Sequence, residues 1–399
     1  MKKISILGST GSIGQNTLDV MTSLNVNFSL YGISCNDNTD LLLKQINKYE
    51  PKIAVITNLD KYNLFIKNHG IKLKDTEILF GTDGLEEICS NNDVDIVVAS
   101  IVGFECLKPV ITAIKNNKTI LAANKEILVS AGDLIRDLIL KSNALLLPID
   151  SEHNAILQII LSSGLDLKIF HKDYYKSKIN KLTITASGGP FIDYKLSDLQ
   201  KVTPKEAVKH PTWNMGDKIS IDSSTMMNKG LEIIEAKLLF NLDLSNINAV
   251  IHRQSKVHAL VDFFDGTTIA HFSQPDMRIP ISYALTFPDR LYRGPLKSFD
   301  FSNLTFEDIP ISKFPCYQIA RDIAEVGKNS GLILNAANEI SVEYFLKGMI
   351  KFTNIPNIIR DILDRNELCS HTNIKSIIDN DVSVRKLTKE LINNKYGTN

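Results

Sequence analysis

The sequence is poor in cysteine and has no long apolar run, and both absences restrict the class of protein. No apolar run approaches about 18 residues, and the run at positions 4–7 is too short for a signal-peptide core, so we expect a soluble protein. The cysteines are far apart and form no Cys-x-x-Cys pair, so we expect reduced, packed thiols in a cytoplasmic protein rather than disulfides or a zinc site. They are Cys35, Cys89, Cys106, Cys316 and Cys369.

An excess of charge of one sign is also lacking. The 45 basic and 45 acidic residues balance, which gives no indication of a general nucleic-acid or membrane binder. The length of 399 residues predicts two or three domains. The sequence contains no internal repeat.

A glycine-rich turn follows the first predicted strand. Residues 3–7 are typical of a buried strand, Gly8, Gly11 and Gly14 follow at three-residue spacing, and residues 15–24 are typical of a helix. Strand, glycine turn and helix in this order predict a dinucleotide-binding opening, in which backbone amides approach a pyrophosphate. A simple tight turn is the alternative.

Strands and helices then alternate up to residue 149. This alternation predicts a doubly wound, Rossmann-like parallel sheet, which binds its ligands at the carboxyl ends of the strands. Strands are expected at 28–34, 52–56, 94–101, 119–123 and 144–149, and helices at 41–49, 106–115 and 128–141.

Acidic residues occur where the last of these strands ends. Asp150 and Glu152 would point to the same side if the extended geometry persisted, and two close carboxylates repel unless a cation or a shared proton relieves them. With no cysteine beside them, an all-oxygen site favours Mg²⁺ or Mn²⁺. The alternative is that they cap a helix beginning near Ala155.

Residues 222–236 are the segment around which the predicted site is organised. Hydroxyl residues precede an apolar pattern of helical spacing, which predicts an N-cap near Ser223 to Thr225. On that helix Asn228, Lys229 and Glu232 share a face that suits a phosphate at its start and a cation one turn later. An ordinary capped helix with a solvated Lys-Glu pair is the alternative.

The region after residue 150 differs in pattern from the first. A strand at 182–186 leads into a polar loop, about 187–217, whose glycines could act as hinges and whose Trp213 and Met215 could exclude water. A surface loop with Trp213 docked on the core is the alternative. Strands at 249–251, 257–262 and 268–272 predict a largely antiparallel α+β middle domain. A connector at 296–312 then precedes C-terminal helices at 316–326, 333–346, 355–368 and 384–394, an all-α domain.

Taken together, these motifs closely resemble those of the 1-deoxy-D-xylulose 5-phosphate reductoisomerase family, in the family's order and over almost the whole chain. They are residues 8–14, 122–126, 150–153, 186–191, 210–216, 222–236, Gln274-Pro275-Asp276-Met277-Arg278 and Asn335-Ala336-Ala337-Asn338-Glu339. The resemblance implies rearrangement of 1-deoxy-D-xylulose 5-phosphate and NADPH-dependent reduction to 2-C-methyl-D-erythritol 4-phosphate, in the non-mevalonate route to isoprenoid precursors. It also implies a homodimer.

The resemblance further assigns domains and roles to residues. It implies an NADPH-binding domain at 1–150, a catalytic and dimerisation domain at 151–295, the connector, and a helical domain at 313–399. The implied metal ligands are Asp150, Glu152 and Glu232, and the implied phosphate set is Ser187, Ser223, Asn228 and Lys229. His210, Ser151 and Lys125 would contact substrate, and the cofactor positions would be Thr10, Gly11, Ser12, Ile13, Asn124, Glu126 and Gly216.

The residues after the second strand depart from the family pattern. The family commonly has a basic residue where the 2′-phosphate of NADPH would lie, whereas this chain has Asn36, Asp37 and Asn38, and an acidic residue here is typical of an NAD site. We expect Asn36 and Asn38 to hydrogen-bond the phosphate while Asp37 turns away. The competing functions are another two-domain NAD(P)-dependent dehydrogenase and a non-enzymatic dinucleotide-binding protein.

Overall fold

The structure is a computed structural model that describes residues 1–24, 28–213, 215–291, 299–370 and 373–397. The chain divides into two compact units. The first comprises Met1–Ile127, Ile135–Asn154 and Asp276–Phe299, and the second comprises Leu128–Leu134, Ala155–Pro275 and Asp300–Asn399.

The described residues form thirteen strands and fifteen α-helices. The strands are β1 (Lys2–Leu7), β2 (Phe28–Cys35), β3 (Ile53–Ile56), β4 (Lys72–Leu73), β5 (Thr76–Phe80), β6 (Ile96–Ala99), β7 (Thr119–Ala122), β8 (Leu145–Pro148), β9 (Ile179–Ala186), β10 (Ile247–Ile251), β11 (Val257–Phe263), β12 (Thr268–Phe272) and β13 (Glu307–Asp308). The helices are α1 (Ser12–Ser23), α2 (Thr39–Tyr49), α3 (Leu59–His69), α4 (Gly81–Ser90), α5 (Leu107–Lys115), α6 (Lys125–Leu140), α7 (Ser151–Ser162), α8 (Pro204–Ala207), α9 (Asp217–Ser224), α10 (Met227–Phe240), α11 (Arg278–Thr286), α12 (Pro315–Val326), α13 (Ser330–Leu346), α14 (Asn354–Arg365) and α15 (Ile374–Leu391).

The first unit is built on an eight-stranded sheet. Its strand order is β4-β5-β3-β2-β1-β6-β7-β8, and every pairing is parallel except that between β4 and β5. The central strands β3 and β6 are buried along their whole length, which suits apolar strands covered on both faces. The Rossmann-like sheet predicted from the alternating pattern is therefore confirmed.

The glycine turn between β1 and α1 is tightly packed. Gly8 has a φ of +82°, and a Cβ on Gly14 would lie 2.4 Å from the Gly8 carbonyl oxygen. A larger residue at position 14 would push α1 away from the strand. The turn therefore needs glycine for close packing, as the dinucleotide-binding pattern requires.

The second unit has a five-stranded sheet in the order β12-β11-β9-β10-β13. Only β9 and β10 pair in parallel; the other three pairings are antiparallel, which confirms the largely antiparallel α+β arrangement. In the C-terminal region of this unit α13 packs against α12, α14 and α15, which confirms the helical region.

Several predicted elements differ from the structure. The hydroxyl residues at 223–225 do not open a helix, because Ser223 and Ser224 end α9, and α10 begins after Met226, whose φ is +61°. The connector contains β13, which pairs with β10, and its residues 296–298 lie outside the described residues. No element was predicted between residues 57 and 93, where α3, β4, β5 and α4 lie.

The five cysteines do not share one environment. Four are buried, and burial raises the pKa of Cys35, Cys106 and Cys316 to about 12. Cys369 is exposed, so its expected role as a packing residue is wrong. Among the described residues no helix combines the length and apolarity needed to cross a bilayer.

Candidate functional site

The first unit places a polar cluster at the carboxyl ends of β7 and β8. Lys125 follows β7 and forms an ion pair with Asp150, which follows β8. The Ser151 amide donates to the Asp150 carboxylate at 2.9 Å, and the Ser151 hydroxyl donates to the Glu152 carboxylate at 2.6 Å. Parallel strands thus bring four of the predicted site residues together at one edge of the sheet.

The backbone at this cluster is helical rather than extended. Because α7 begins at Ser151, Glu152 lies in its first turn, and the expectation that extended geometry aligns Asp150 with Glu152 is wrong. Negative charge is favoured at a helix N-terminus, where amide groups and the helix dipole stabilise it. The Ser151 contact shows that Asp150 also accepts from the start of the helix, so capping and metal binding are compatible roles.

The turn after β1 offers backbone donors to an anion. Gly11 precedes α1 in extended conformation, and it makes no side-chain capping bond to the helix. Because the N-cap residue is a glycine, it has no side chain to cap the first amides of α1, and these amides suit an anion. The predicted cofactor positions Thr10, Gly11, Ser12 and Ile13 all lie at this helix start.

The Asn124 side chain is directed into the protein. Its amide donates to the carbonyls of Ile101 and Gly103, and its oxygen accepts from the Ile127 amide as the N-cap of α6. Asn124 therefore ties the chain that follows β6 to the start of α6. Glu126 is buried in the first turn of the same helix.

The residues after β2 form a compact polar group. The Asp37 carboxylate accepts hydrogen bonds from the Asn36 amide at 2.8 Å and from the Asn58 amide at 2.7 Å. The Asn36 oxygen accepts from the Thr57 hydroxyl at 2.9 Å, and the Asn38 oxygen caps α2. Asp37 is thus tied to the start of α3, and the side-chain oxygens of Asn36 and Asn38 both accept from the protein.

In the second unit His210 lies beside Ser187. The His210 Nδ1 atom accepts from the amides of Thr212 and Trp213 at 3.1 and 2.9 Å, and Nε2 is 2.9 Å from the Ser187 hydroxyl. Since two N–H donors face Nδ1, that nitrogen carries no proton, and the neutral ring has its proton on Nε2. Burial lowers the pKa of His210 to about 4, so the ring is neutral near pH 7.

This tautomer determines how the Ser187 hydroxyl is used. The Ser187 oxygen accepts from His210 Nε2 and from the Gly189 amide at 3.2 Å. With its oxygen accepting twice, the hydroxyl has its own proton left to donate. An oriented hydroxyl donor suits a phosphate oxygen, which only accepts.

The Ser187–Gly189 loop is packed on the end of α9. Gly189 has a φ of +67°, and a Cβ at this position would lie 2.8 Å from the Ser223 carbonyl oxygen. Two members of the predicted phosphate set, Ser187 and Ser223, therefore belong to segments in direct backbone contact. The sequence signal for this contact is the pair Gly188-Gly189.

The other predicted members lie at the start of α10. The Asn228 amide donates to one Glu232 oxygen at 2.5 Å, and the Lys229 ammonium forms an ion pair with the other. Lys229 and Glu232 are 3% and 1% exposed, so their charges must compensate each other. The predicted shared face is confirmed, but its Lys-Glu pair is buried rather than solvated.

Residues of the predicted loop at 187–217 contact β11 and lead into α9. The Trp213 ring lies edge-on to that of His258 with the centroids 6.1 Å apart, and Gly216 precedes α9 as its N-cap residue. Asn214 lies outside the described residues. Sequence reasoning missed the Thr212 and Trp213 amides, which fix the tautomer of His210. The turn-forming His210-Pro211 dipeptide is the only sequence signal for them.

Three protein-family models match the chain. The model described as 1-deoxy-D-xylulose 5-phosphate reductoisomerase matches residues 4–132, and the model of that enzyme's C-terminal domain matches residues 146–240. A third, described as DXP reductoisomerase C-terminal domain, matches residues 272–387.

Curated relatives and solved structures carry the same description. The chain is 43% identical over 400 residues to 1-deoxy-D-xylulose 5-phosphate reductoisomerase of Thermoanaerobacter pseudethanolicus, which covers 99% of this chain and 100% of the relative. It is 41% identical over 398 residues to that of Clostridium perfringens, with coverage of 98% and 100%. A solved reductoisomerase in complex with NADPH, fosmidomycin and magnesium is 38% identical, with a TM-score of 0.88 and 98% coverage of each chain. The Zymomonas mobilis enzyme in complex with NADPH is 35% identical, with a TM-score of 0.86 and coverage of 98% and 99%.

Proposed function

The chain belongs to the 1-deoxy-D-xylulose 5-phosphate reductoisomerase family, and from this we propose which of its residues perform the reaction. The activity is the NADPH- and metal-dependent conversion of 1-deoxy-D-xylulose 5-phosphate to 2-C-methyl-D-erythritol 4-phosphate. The family match along nearly the whole chain carries this conclusion. The polar groups described above supply the residue assignments.

The first unit is proposed to bind NADPH. The start of α1 fits a pyrophosphate because Gly14 leaves room for the turn, and Gly11 has no side chain to cap the amides that follow it. Residues 10–13, Asn124, Glu126 and Gly216 are the proposed cofactor positions, with Asn36 and Asn38 beside the 2′-phosphate. NADPH supplies the hydride for the reduction.

Asp150, Glu152 and Glu232 are proposed to hold Mg²⁺ or Mn²⁺. Each can offer one carboxylate oxygen, and an all-carboxylate set fits a hard divalent cation. A bound cation supplies Lewis-acid stabilisation to substrate oxygens that gain negative charge. Three protein ligands leave coordination positions open to substrate.

The second unit is proposed to bind the substrate phosphate through Ser187, Ser223, Asn228 and Lys229. Support comes from the oriented Ser187 hydroxyl and from the buried Lys229 ammonium. Holding this remote group orients the reacting carbons, so that binding energy lowers the barrier at a distant centre. The neutral His210 serves as a hydrogen-bond donor rather than as a general base near pH 7.

The remaining polar residues have supporting roles in this proposal. Lys125 offers a positive charge to substrate oxygens beside Asp150, and Ser151 offers its hydroxyl. The loop at 187–217 is proposed as a lid, with Trp213 and Met215 excluding water when it covers the site.

The test is oxidation of NADPH with 1-deoxy-D-xylulose 5-phosphate, with and without Mg²⁺, for the wild type and Glu232→Gln. We expect the wild type to lose activity on chelation and to regain it with Mg²⁺. Removing one ligand should reduce kcat/KM about 100-fold or more and raise the half-saturating Mg²⁺ concentration at least tenfold. Wild-type turnover that survives thorough chelation would instead favour a metal-independent dehydrogenase.

Glu235→Gln is the matched control. Glu235 lies three residues further along α10 and is 1% exposed, as Glu232 is. Both changes remove a buried carboxylate, so a comparable drop in Tm is expected from each. If Glu235→Gln rather than Glu232→Gln abolishes the metal response, the assignment of Glu232 is wrong.

We also propose that two copies form a homodimer in the cytoplasm. In the described part of the chain, β12 is an edge strand whose only neighbour is β11, and edge strands readily pair with another chain. Phe264, next to this edge, is 62% exposed. Light scattering should give twice the chain mass of 44.6 kDa, and a monomeric mass would refute the dimer.

A further inference from the structure

The carboxylate of Asp222 lies in the interior of the second unit, although it adjoins a proposed phosphate ligand. Its side chain is 1% exposed, it belongs to α9, and the next residue is Ser223. A buried carboxylate is costly unless its charge is paired and hydrogen-bonded. The partners that hold it therefore fix the last turn of α9.

Two partners hold this carboxylate from different directions. The Lys218 ammonium is 2.9 Å from one oxygen, one turn earlier on α9. The Asn338 amide donates to the other oxygen at 2.8 Å from α13. Asn338 is fully buried and belongs to the motif at 335–339, which the proposed reaction does not use.

The backbone beside Asp222 carries two further contacts. The Thr225 hydroxyl donates to the Asp222 carbonyl at 3.2 Å and accepts from the Met227 amide, the first residue of α10. The Ser223 carbonyl lies against the Gly189 turn. A shift of Asp222 would therefore move Ser223 relative to both the Ser187 loop and the start of α10.

We propose that Asp222 is a positioning residue for the phosphate pocket, held by Asn338 and Lys218 so that α9 presents Ser223 to the substrate phosphate. This rests on the proposed phosphate set. It gives the C-terminal helices a part in substrate binding through a single side chain of α13. Loosening the contact should weaken phosphate binding much more than NADPH binding, since all the proposed cofactor positions except Gly216 belong to the first unit.

The test compares Asn338→Leu with Asn335→Leu. Both asparagines are fully buried on α13, but the Asn335 amide donates to Glu339 and not to Asp222. We expect Asn338→Leu to raise the KM for the sugar phosphate and the inhibition constant of inorganic phosphate about tenfold, with kcat and the KM for NADPH changed less than about threefold. Asn335→Leu should lower Tm to a similar extent with both phosphate constants unchanged.

The outcomes separate this inference from the proposed function. If the wild type turns over the sugar phosphate but the two leucine variants behave alike, Asn338 is only structural and the inference is overturned. If the wild type shows no turnover, the proposed function fails instead. Should Asn338→Leu not fold, Lys218→Met removes the second partner of Asp222. This variant should also raise the inhibition constant of inorganic phosphate, and an unchanged inhibition constant would overturn the inference.

Discussion

Replacing Gly189 with alanine would test whether the contact between the Ser187 loop and α9 sets phosphate binding. At a φ of +67°, alanine is about 1–2 kcal/mol less favourable than glycine, so the free energy of unfolding should fall by about this amount. The new Cβ would lie 2.8 Å from the Ser223 carbonyl oxygen, whereas ordinary contact begins at 3.4 Å, so the loop must move by about 0.6 Å. Because a misplacement of about 1 Å can cost about 100-fold in rate, we expect kcat/KM for the sugar phosphate to fall about tenfold.

The assay is steady-state NADPH oxidation together with urea unfolding, and Gly266→Ala is the control. Gly266 lies in the turn between β11 and β12 and has a φ of +85°, but a Cβ added to it would meet no atom within 4 Å. In Gly266→Ala the free energy of unfolding should fall by a similar amount, and kcat/KM should not change. If both variants lose stability equally and neither affects turnover, the contact with Ser223 does not position Ser187.

Two further predictions concern pH and the cofactor. Burial lowers the pKa of His210 to about 4 in the folded state, against 6.5 for an unperturbed histidine, so the unfolded chain binds more protons between these pH values. The free energy of unfolding should therefore fall as the pH falls through that window. Urea titrations of His210→Asn at several pH values should show a smaller decrease. The kcat/KM with NADPH should exceed that with NADH, and equal or reversed values would refute the cofactor assignment. Asp37→Asn should increase this ratio by removing a charge near the proposed 2′-phosphate position, whereas Asp40→Asn, at an exposed position in the first turn of α2, should leave it unchanged.

The sequence allowed prediction of the parallel sheet and of which polar residues lie at its edge. The roles of apolar strands such as β6 and of glycines such as Gly14 can be recognised from the local sequence, and the order of these elements along the chain specifies the topology. The positions of Lys125 and Asp150 follow from that order, since the carboxyl ends of neighbouring parallel strands meet at one edge. Once the strands place these two residues close together, their opposite charges form the ion pair.

The break between α9 and α10 was not predictable, because serine and threonine have two opposite uses. They can cap a helix, or donate to a carbonyl of the preceding turn within one. Ser220 and Ser224 take the second role, donating to the carbonyls of Gly216 and Ile221. Similarly, α3 buries only Phe65, and its Leu59 and Leu64 are more than half exposed, so its apolar residues do not line one buried face. The two residues of β13 form a strand only through pairing with β10.

If Glu232 holds the cation and Lys229 the phosphate, as proposed above, each of these two ligands should increase the affinity for the other. Asn228 and Lys229 both contact Glu232, so a phosphate must compete with that carboxylate for their donors. A cation at Glu232 would take over part of its charge and release the donors towards the phosphate. Linkage then requires that phosphate raise the affinity for the cation by the same factor. Calorimetry should show that Mg²⁺ tightens inorganic phosphate binding about five- to tenfold in the wild type and not in Glu232→Gln. Since Mg²⁺ also pairs with free phosphate, which acts in the opposite direction, an unchanged or weakened affinity in the wild type would refute the coupling.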